Sequence, residues 1–175
     1  MKYYLVGIAL IIIVLTGCQK RGLDFSEDVF LKYTSSLAGE CASFEFFDTN
    51  IEVSSDGTVR IYCDDFEDIY SEEYPIKTIQ LSEEDINDLK DAIEENNIMD
   101  LRKDLSTESC DGGYQYLTVY TEGDKHKTGG LNVSNRRFGR VESLIFDMVG
   151  EDVRELRSEV DDIQQKGYND KYGEN

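Results

Sequence analysis

Four tyrosines have a spacing that could build a ligand surface. Tyr114, Tyr116 and Tyr120 are even numbers of residues apart in a segment rich in β-formers, and Tyr62 lies in another such segment. Side chains at even spacing share one face of a strand, and exposed aromatic rows can stack sugars or anchor a protein partner. The alternative is that a helix or loop covers the rings as core. The sequence favours this second interpretation, and the four tyrosines are the best candidate for a ligand surface.

The single histidine forms no recognisable catalytic motif. His126 lies in the polar run Asp124-Lys125-His126-Lys127, directly after a predicted turn. A histidine base needs a nucleophile and an orienting carboxylate, the chain has no Gly-x-Ser-x-Gly motif, and His-Glu-x-x-His would need a second histidine. We therefore predict an exposed strand histidine, with no catalytic residue, no metal site and no cofactor.

Carboxylates are abundant, because the chain has 37 acidic residues. The run Asp64-Asp65-Phe66-Glu67-Asp68 offers oxygen ligands of the kind that calcium takes. It lacks the spaced ligands and the turn glycine of an EF-hand loop, so a solvated charge run is the better interpretation. Paired carboxylates for glycoside hydrolysis would need a cleft, and in so acidic a chain such pairs also arise by chance.

The first eighteen residues indicate export and a lipid anchor. Lys2 is followed by an apolar run from Tyr3 to Leu15, which is the order of a secretory signal. The run is shorter than the roughly 20 residues that a membrane-spanning helix needs. Leu15-Thr16-Gly17-Cys18 resembles the lipobox of bacterial lipoproteins, in which the cysteine is acylated and becomes the new N-terminus. This resemblance predicts a cleaved signal peptide over residues 1–17 and lipid attachment at Cys18.

The charge of the chain limits its partners. Cleavage after residue 17 would leave 158 residues with 17 basic and 37 acidic side chains, a net charge of −20. Nucleic acid is an unsuitable partner because phosphate recognition needs a clustered basic surface. An anionic membrane also attracts polybasic segments, which this chain lacks. The predicted membrane contact is therefore the lipid on Cys18, with a tether over residues 18–23.

Apolar alternation predicts a β-hairpin around Gly57. A three-residue loop over residues 55–57 sets Val53 opposite Val59 on one face, whereas a two-residue loop would set Val53 against Arg60. Gly57 then supplies the left-handed residue of a type I turn followed by a bulge. Before this hairpin, the apolar spacing from Asp24 to Leu37 predicts a short helix.

The remaining cysteines can form one disulfide in an exported protein. The predicted hairpin places Cys63 beside Thr49 and carries Cys41 far past it, which disfavours a pair between those two cysteines. We therefore predict a disulfide between Cys41 and Cys110. Three singly spaced cysteines and one histidine do not make a zinc site.

The second half of the chain predicts two helices and another hairpin. A strand from Tyr74 to Leu81 precedes a helix that is capped at Ser82. A hairpin then turns at Glu122-Gly123-Asp124, and Asn135 caps a last helix. Other expected features are a break or a kink at Gly150 and a polar flexible tail over residues 166–175.

These elements predict an α+β fold, an antiparallel sheet of hairpins with one central and one C-terminal helix packed on one face. One globular domain would span residues 24–165. Ile51-x-Val53…Asp56-Gly57-Thr58-Val59, Leu81-Ser82-Glu83-Glu84-Asp85 and Gly129-Gly130-Leu131-Asn132…Asn135-x-x-Phe138 resemble, in this order, a family of small uncharacterised bacterial lipoproteins with a domain of unknown function. The resemblance covers residues 44–149 and implies no activity.

The sequence as a whole favours a lipid-anchored binding domain outside the cytoplasmic membrane. Its partner would be a protein, a peptide or a glycan, and the domain would be non-enzymatic. The alternative function is a carboxylate-based hydrolase that acts on cell-envelope material. A third interpretation is a structural role, in which the domain packs with itself or with a neighbour.

Overall fold

The computed structural model describes residues 22–38, 47–65, 74–108 and 112–173. Within them an antiparallel six-stranded sheet carries two helices on one face, so the predicted α+β fold is confirmed. The sheet order is β4-β3-β2-β1-β5-β6. In chain order the elements are β1 (Val29–Ala38), β2 (Phe47–Ser54), β3 (Thr58–Asp65), β4 (Lys77–Gln80), α1 (Glu83–Glu95), β5 (Gly112–Thr121), β6 (Asp124–Leu131) and α2 (Arg136–Tyr172).

The core lies between the helices and one face of the sheet. Strand register aligns two rows of apolar side chains on that face. The first row is Val59, Val53, Leu31 and Val119, and the second is Ile61, Ile51, Tyr33 and Leu117. Each of these side chains is at most 2% exposed. Because successive residues of a strand point to opposite faces, the residues between them form a separate face that the helices do not cover.

The register of the β2–β3 hairpin confirms the three-residue loop. Val53 pairs with Val59, and Thr49 pairs with Cys63. Gly57 has a φ of +89°, the left-handed conformation that this turn requires. The hydrophobic pattern on one face was therefore sufficient to determine this local pairing.

The predicted helix over Asp24–Leu37 is wrong, because residues 29–37 belong to strand β1 and residues 24–28 are not helical. This strand lies between β2 and β5 and pairs with both. The pairing of β1 with β2 shifts register between Val29 and Leu31, and this irregularity makes the apolar spacing resemble that of a helix. Phe30, the residue at the shift, is fully buried, and the centre of its ring lies 5.0 Å from the Lys90 ammonium on α1. Backbone pairing on both edges, which no local pattern encodes, decides the conformation.

The predicted helix boundaries agree with the structure at both N-termini. Ser82 caps α1 in a reciprocal capping box with Asp85, and the side chain of Asn135 accepts hydrogen bonds from the backbone N–H groups of Arg137 and Phe138 at the start of α2. Each side chain satisfies backbone donors that have no partner within the helix.

The C-terminal helix differs from its prediction in two ways. It is not broken at Gly150, where we expected a break or a kink, because Val149 and Val153 on either side are buried in the core. This packing offsets the cost of about 1 kcal/mol that a glycine brings to a helix. The helix also continues past residue 166, where a flexible tail was expected, and the rings of Tyr168 and Tyr172 lie 5.1 Å apart on successive turns.

Two smaller differences concern the strand boundaries. Strand β4 begins after Pro75 and has only four residues. The turn of the second hairpin is shorter than predicted, because β6 already begins at Asp124. Among the described residues, neither helix combines the length and the apolar composition that crossing a bilayer requires.

Gly129 on β6 is expected to tolerate no side chain. Its φ is +149°, and a Cβ placed there would lie 2.0 Å from the carbonyl oxygen of Gln115 on β5. We predict that Gly129→Ala lowers the free energy of unfolding by about 3 kcal/mol or more, as measured by urea denaturation. Gly123→Ala is the matched control, because φ is +83° there but a Cβ would meet no atom within 4 Å. We expect Gly123→Ala to lower the free energy of unfolding by about 1–2 kcal/mol. Equal losses of stability in the two variants would contradict the prediction.

Candidate ligand-binding surface

All four predicted tyrosines lie on the sheet face opposite the helices, here called the tyrosine face. Tyr62 and Tyr116 belong to one row across the sheet, in which Tyr62 pairs with Asn50, Asn50 with Thr34, and Thr34 with Tyr116. Tyr114 and Tyr120 share the orientation of Tyr116 because they lie at even spacing on β5. Tyr114 is 39% exposed, and the other three tyrosines are partly exposed. The helices therefore do not cover these rings as core.

Two of these rings form a parallel stacked pair. The ring planes of Tyr114 and Tyr116 differ by 4°, with centroids 6.4 Å apart. The Lys127 ammonium on β6 lies 3.9 Å from the centre of the Tyr116 ring, a cation–π contact. Gly129 pairs directly with Tyr116, and its missing side chain leaves room for the aromatic ring. Partial burial and the neighbouring Tyr114 raise the pKa of Tyr116.

Tyr62 belongs to a tight polar network. Lys32 Nζ donates to Tyr62 Oη at 2.6 Å, and Tyr62 Oη donates to Glu52 Oε1 at 2.7 Å. Arg60 lies 3.5 Å from the second carboxylate oxygen of Glu52. Partial burial opposes the charge on Lys32, but its hydrogen bonds to Tyr62 and Glu52 outweigh this effect and raise its pKa. These hydrogen bonds hold the Tyr62 hydroxyl in place, so the Tyr62 side chain has a fixed position on the tyrosine face.

The middle and one end of the tyrosine face are polar. Thr34 Oγ1 donates to Asn50 Oδ1 at 2.9 Å, and Asn50 Nδ2 donates to Asp64 Oδ2 at 2.9 Å. Asp48 faces Asp64 across the β2–β3 pair. Burial raises the pKa of Asp48, and a hydrogen bond with Ser36 opposes that shift. The face therefore combines aromatic rings with amide, hydroxyl and carboxylate groups.

A groove of about 340 Å³ adjoins the tyrosine face where the ends of β1 and β5 meet α2. Its walls include Tyr114, Ser36, Phe47 and Arg157, so Tyr114 belongs to both surfaces. Glu142 accepts a hydrogen bond of 2.7 Å from the Tyr33 hydroxyl and is the one carboxylate among the described residues that line the groove. Those described residues therefore do not include the facing carboxylates that a glycoside hydrolase would need.

The other predicted residues have different outcomes. His126 is half-buried and pairs with Val119 on the helix side of the sheet, so it is less exposed than expected. Cys63 is 6% exposed. Cys18, Cys41 and Cys110 lie outside the described residues, so the lipid site and the disulfide stay predictions. Within the described part of the chain, no group of three or more histidine, cysteine or acidic side chains could hold a metal ion.

Two features of the surface were missed in the sequence. Lys127 was noted only as a neighbour of His126, although even spacing from Lys125 along a strand would have placed both lysines on the tyrosine face. The contact between Tyr33 and Glu142 joins residues 109 positions apart, and no local signal could have found it. Sequence spacing finds neighbours within a hairpin, whereas the groove depends on helix packing.

The hydroxyl of Tyr33 is expected to stabilise the groove. Burial, followed by the adjacent Glu142 carboxylate, raises the pKa of Tyr33 well above its usual value. We predict that Tyr33→Phe lowers the free energy of unfolding by about 1–3 kcal/mol at neutral pH, because a buried hydrogen bond to a charged group is lost.

The same shift predicts a dependence on alkaline pH. A raised pKa means that the folded state holds the proton more tightly, so this stabilisation is complete below the ordinary tyrosine pKa of 10.0 and is lost as the pH rises above it. Urea denaturation from pH 8 to pH 11 should show a shallower loss of stability for Tyr33→Phe than for the wild type. The control is Tyr168→Phe, at a 38% exposed tyrosine on α2. Parallel losses in all three proteins would contradict the assignment.

Comparison with known proteins adds no further assignment. No protein-family model matches the chain, and no curated protein matches it. The resemblance to bacterial lipoproteins thus stays a prediction, based on the lipobox residues Leu15 to Cys18 and on the hairpin and helix motifs described above. The geometry of the tyrosine face and the groove is the evidence that bears on function.

Proposed function

We propose that this chain is a lipid-anchored, non-catalytic domain outside the cytoplasmic membrane, which binds a protein, peptide or glycan through its tyrosine face. The observation that carries the proposal is the parallel Tyr114–Tyr116 pair on a sheet face that the helices leave uncovered. The lipobox Leu15-Thr16-Gly17-Cys18 supports the anchor and the location.

The chemistry of the tyrosine face supports binding. Flat aromatic rings provide a large contact area, and their side chains lose little entropy on binding. Thr34 and Ser36 on β1 and Lys127 on β6 place hydrogen-bonding groups beside the rings. The groove at Tyr114 extends this surface around the end of the sheet. A ligand that spans both would contact the tyrosine rings and a groove that is lined by aromatic, polar and charged side chains.

The anchor has a direct chemical test. We predict that the mature protein begins at Cys18 and carries a diacylglyceryl group on its sulfur. Mass spectrometry of the N-terminal peptide, from protein isolated from bacterial membranes, measures this modification. A mature N-terminus at another residue, or an unmodified Cys18, would exclude the lipoprotein assignment. A Cys18→Ala variant should lose the modification and, with it, recovery in the membrane fraction.

The binding surface is tested with full-length protein in detergent and insoluble cell envelopes of the producing bacterium. We predict that Tyr114→Ser and Tyr116→Ser each weaken cosedimentation about tenfold or more, since truncating a central aromatic residue commonly costs about 2 kcal/mol. Tyr168→Ser is the matched control, because Tyr168 is 38% exposed and Tyr114 is 39% exposed. Equal binding by all variants, or an equal loss in the Tyr168 variant, would exclude the tyrosine face.

A further inference from the structure

We infer that the domain stands on the membrane with one corner toward the bilayer and with Tyr114 and the groove directed away from it. This corner, here called the membrane-side corner, consists of residues 22–26, Glu94 and the β5–β6 turn at Glu122. The inference rests on the lipid anchor at Cys18 that the proposed function includes. To the proposed function it adds that the membrane-side corner faces the lipid headgroups and that the ligand approaches from the opposite side, at Tyr114.

The first described residues are tied firmly to this corner. The backbone N–H of Leu23 donates to Glu94 Oε1 at 2.7 Å. The Ser26 N–H donates to the Tyr120 carbonyl at 3.2 Å, and the Glu122 N–H donates to the Asp24 carbonyl at 2.8 Å. These bonds, on both sides of residues 22–26, hold the start of the domain in one place.

The tether from the lipid to this corner is short. Cys18 and Gly22 are four residues apart, and a fully extended chain covers at most about 3.6 Å per residue, so their Cα atoms are within about 14 Å of each other. An acylated Cys18 lies at the membrane surface because its acyl chains are in the hydrocarbon. Gly22 and the Glu94 side chain that binds the neighbouring Leu23 N–H are therefore held close to the lipid headgroups.

The ligand surface extends away from this corner. Strand β5 runs from the groove to the turn, with Tyr114 near its start and Thr121 at its end. Tyr114 and Thr121 are seven positions apart, which corresponds to about 24 Å along the strand. Tyr114 is thus farther from the anchored corner than the tether is long.

The orientation can be measured by energy transfer, because the chain has no tryptophan. Full-length, lipid-modified protein is reconstituted into vesicles of phosphatidylcholine and phosphatidylglycerol that contain a headgroup-dansylated lipid. Glu122→Trp and Asp100→Trp place an indole at exposed positions near the membrane-side corner, since Asp100 lines a small cavity together with Leu23 and Glu94. Tyr114→Trp places an indole at the far end of β5. Transfer to dansyl should be several-fold more efficient from the first two variants than from Tyr114→Trp.

Two results would overturn the orientation. Comparable transfer from Tyr114→Trp and Glu122→Trp would mean that the domain lies flat, and this outcome leaves the lipid anchor intact. Failure of the wild type to float with the vesicles would remove the anchor and the orientation together. A flexible Gly-Ser insertion of 20 residues between Arg21 and Gly22 provides the control. The insertion has a root-mean-square end-to-end distance of about 25 Å, so it should reduce the difference in transfer efficiency between Tyr114→Trp and Glu122→Trp.

Discussion

Pairing of β1 with two different hairpins is the constraint on which the rest of the structure depends. Its Leu31 and Tyr33 connect the β2–β3 hairpin to the β5–β6 hairpin within the two buried rows. Neither hairpin alone is wide enough to bury a helix, since isolated two-stranded hairpins are marginally stable in water. With β1 in place, one continuous apolar face packs against α1 and α2, and Tyr33 also contacts Phe146 and Glu142 on α2.

Placing both helices on one face determines the character of the other. Side chains that alternate with the core along β1, β2 and β3 include Lys32, Glu52 and Tyr62, which bind one another in a compact network. On β5 the same alternation presents Tyr114 and Tyr116. A strand must present every second residue to this face, so the tyrosine face follows directly from the position of the core.

The tether and the groove lie at opposite ends of strand β5. The start of the domain is bonded to the β5–β6 turn, and the groove lies near the other end of β5. In the proposed function, the lipid supplies the membrane attachment and leaves the protein surface for a partner. In the inferred orientation, this surface is directed away from the membrane, because the stacked tyrosines and the groove meet at Tyr114, at the end of β5 opposite the anchored corner.

The sequence by itself determined the features that depend on neighbouring residues. These are the loop at Gly57, the helix caps at Ser82 and Asn135 and the common face of the tyrosines on β5. The tertiary structure decided that residues 29–38 form a strand, that α2 continues through Gly150, and that Tyr33 and Glu142 build a groove. Turn register and capping act over a few residues, whereas these outcomes depend on partners brought together from distant parts of the chain.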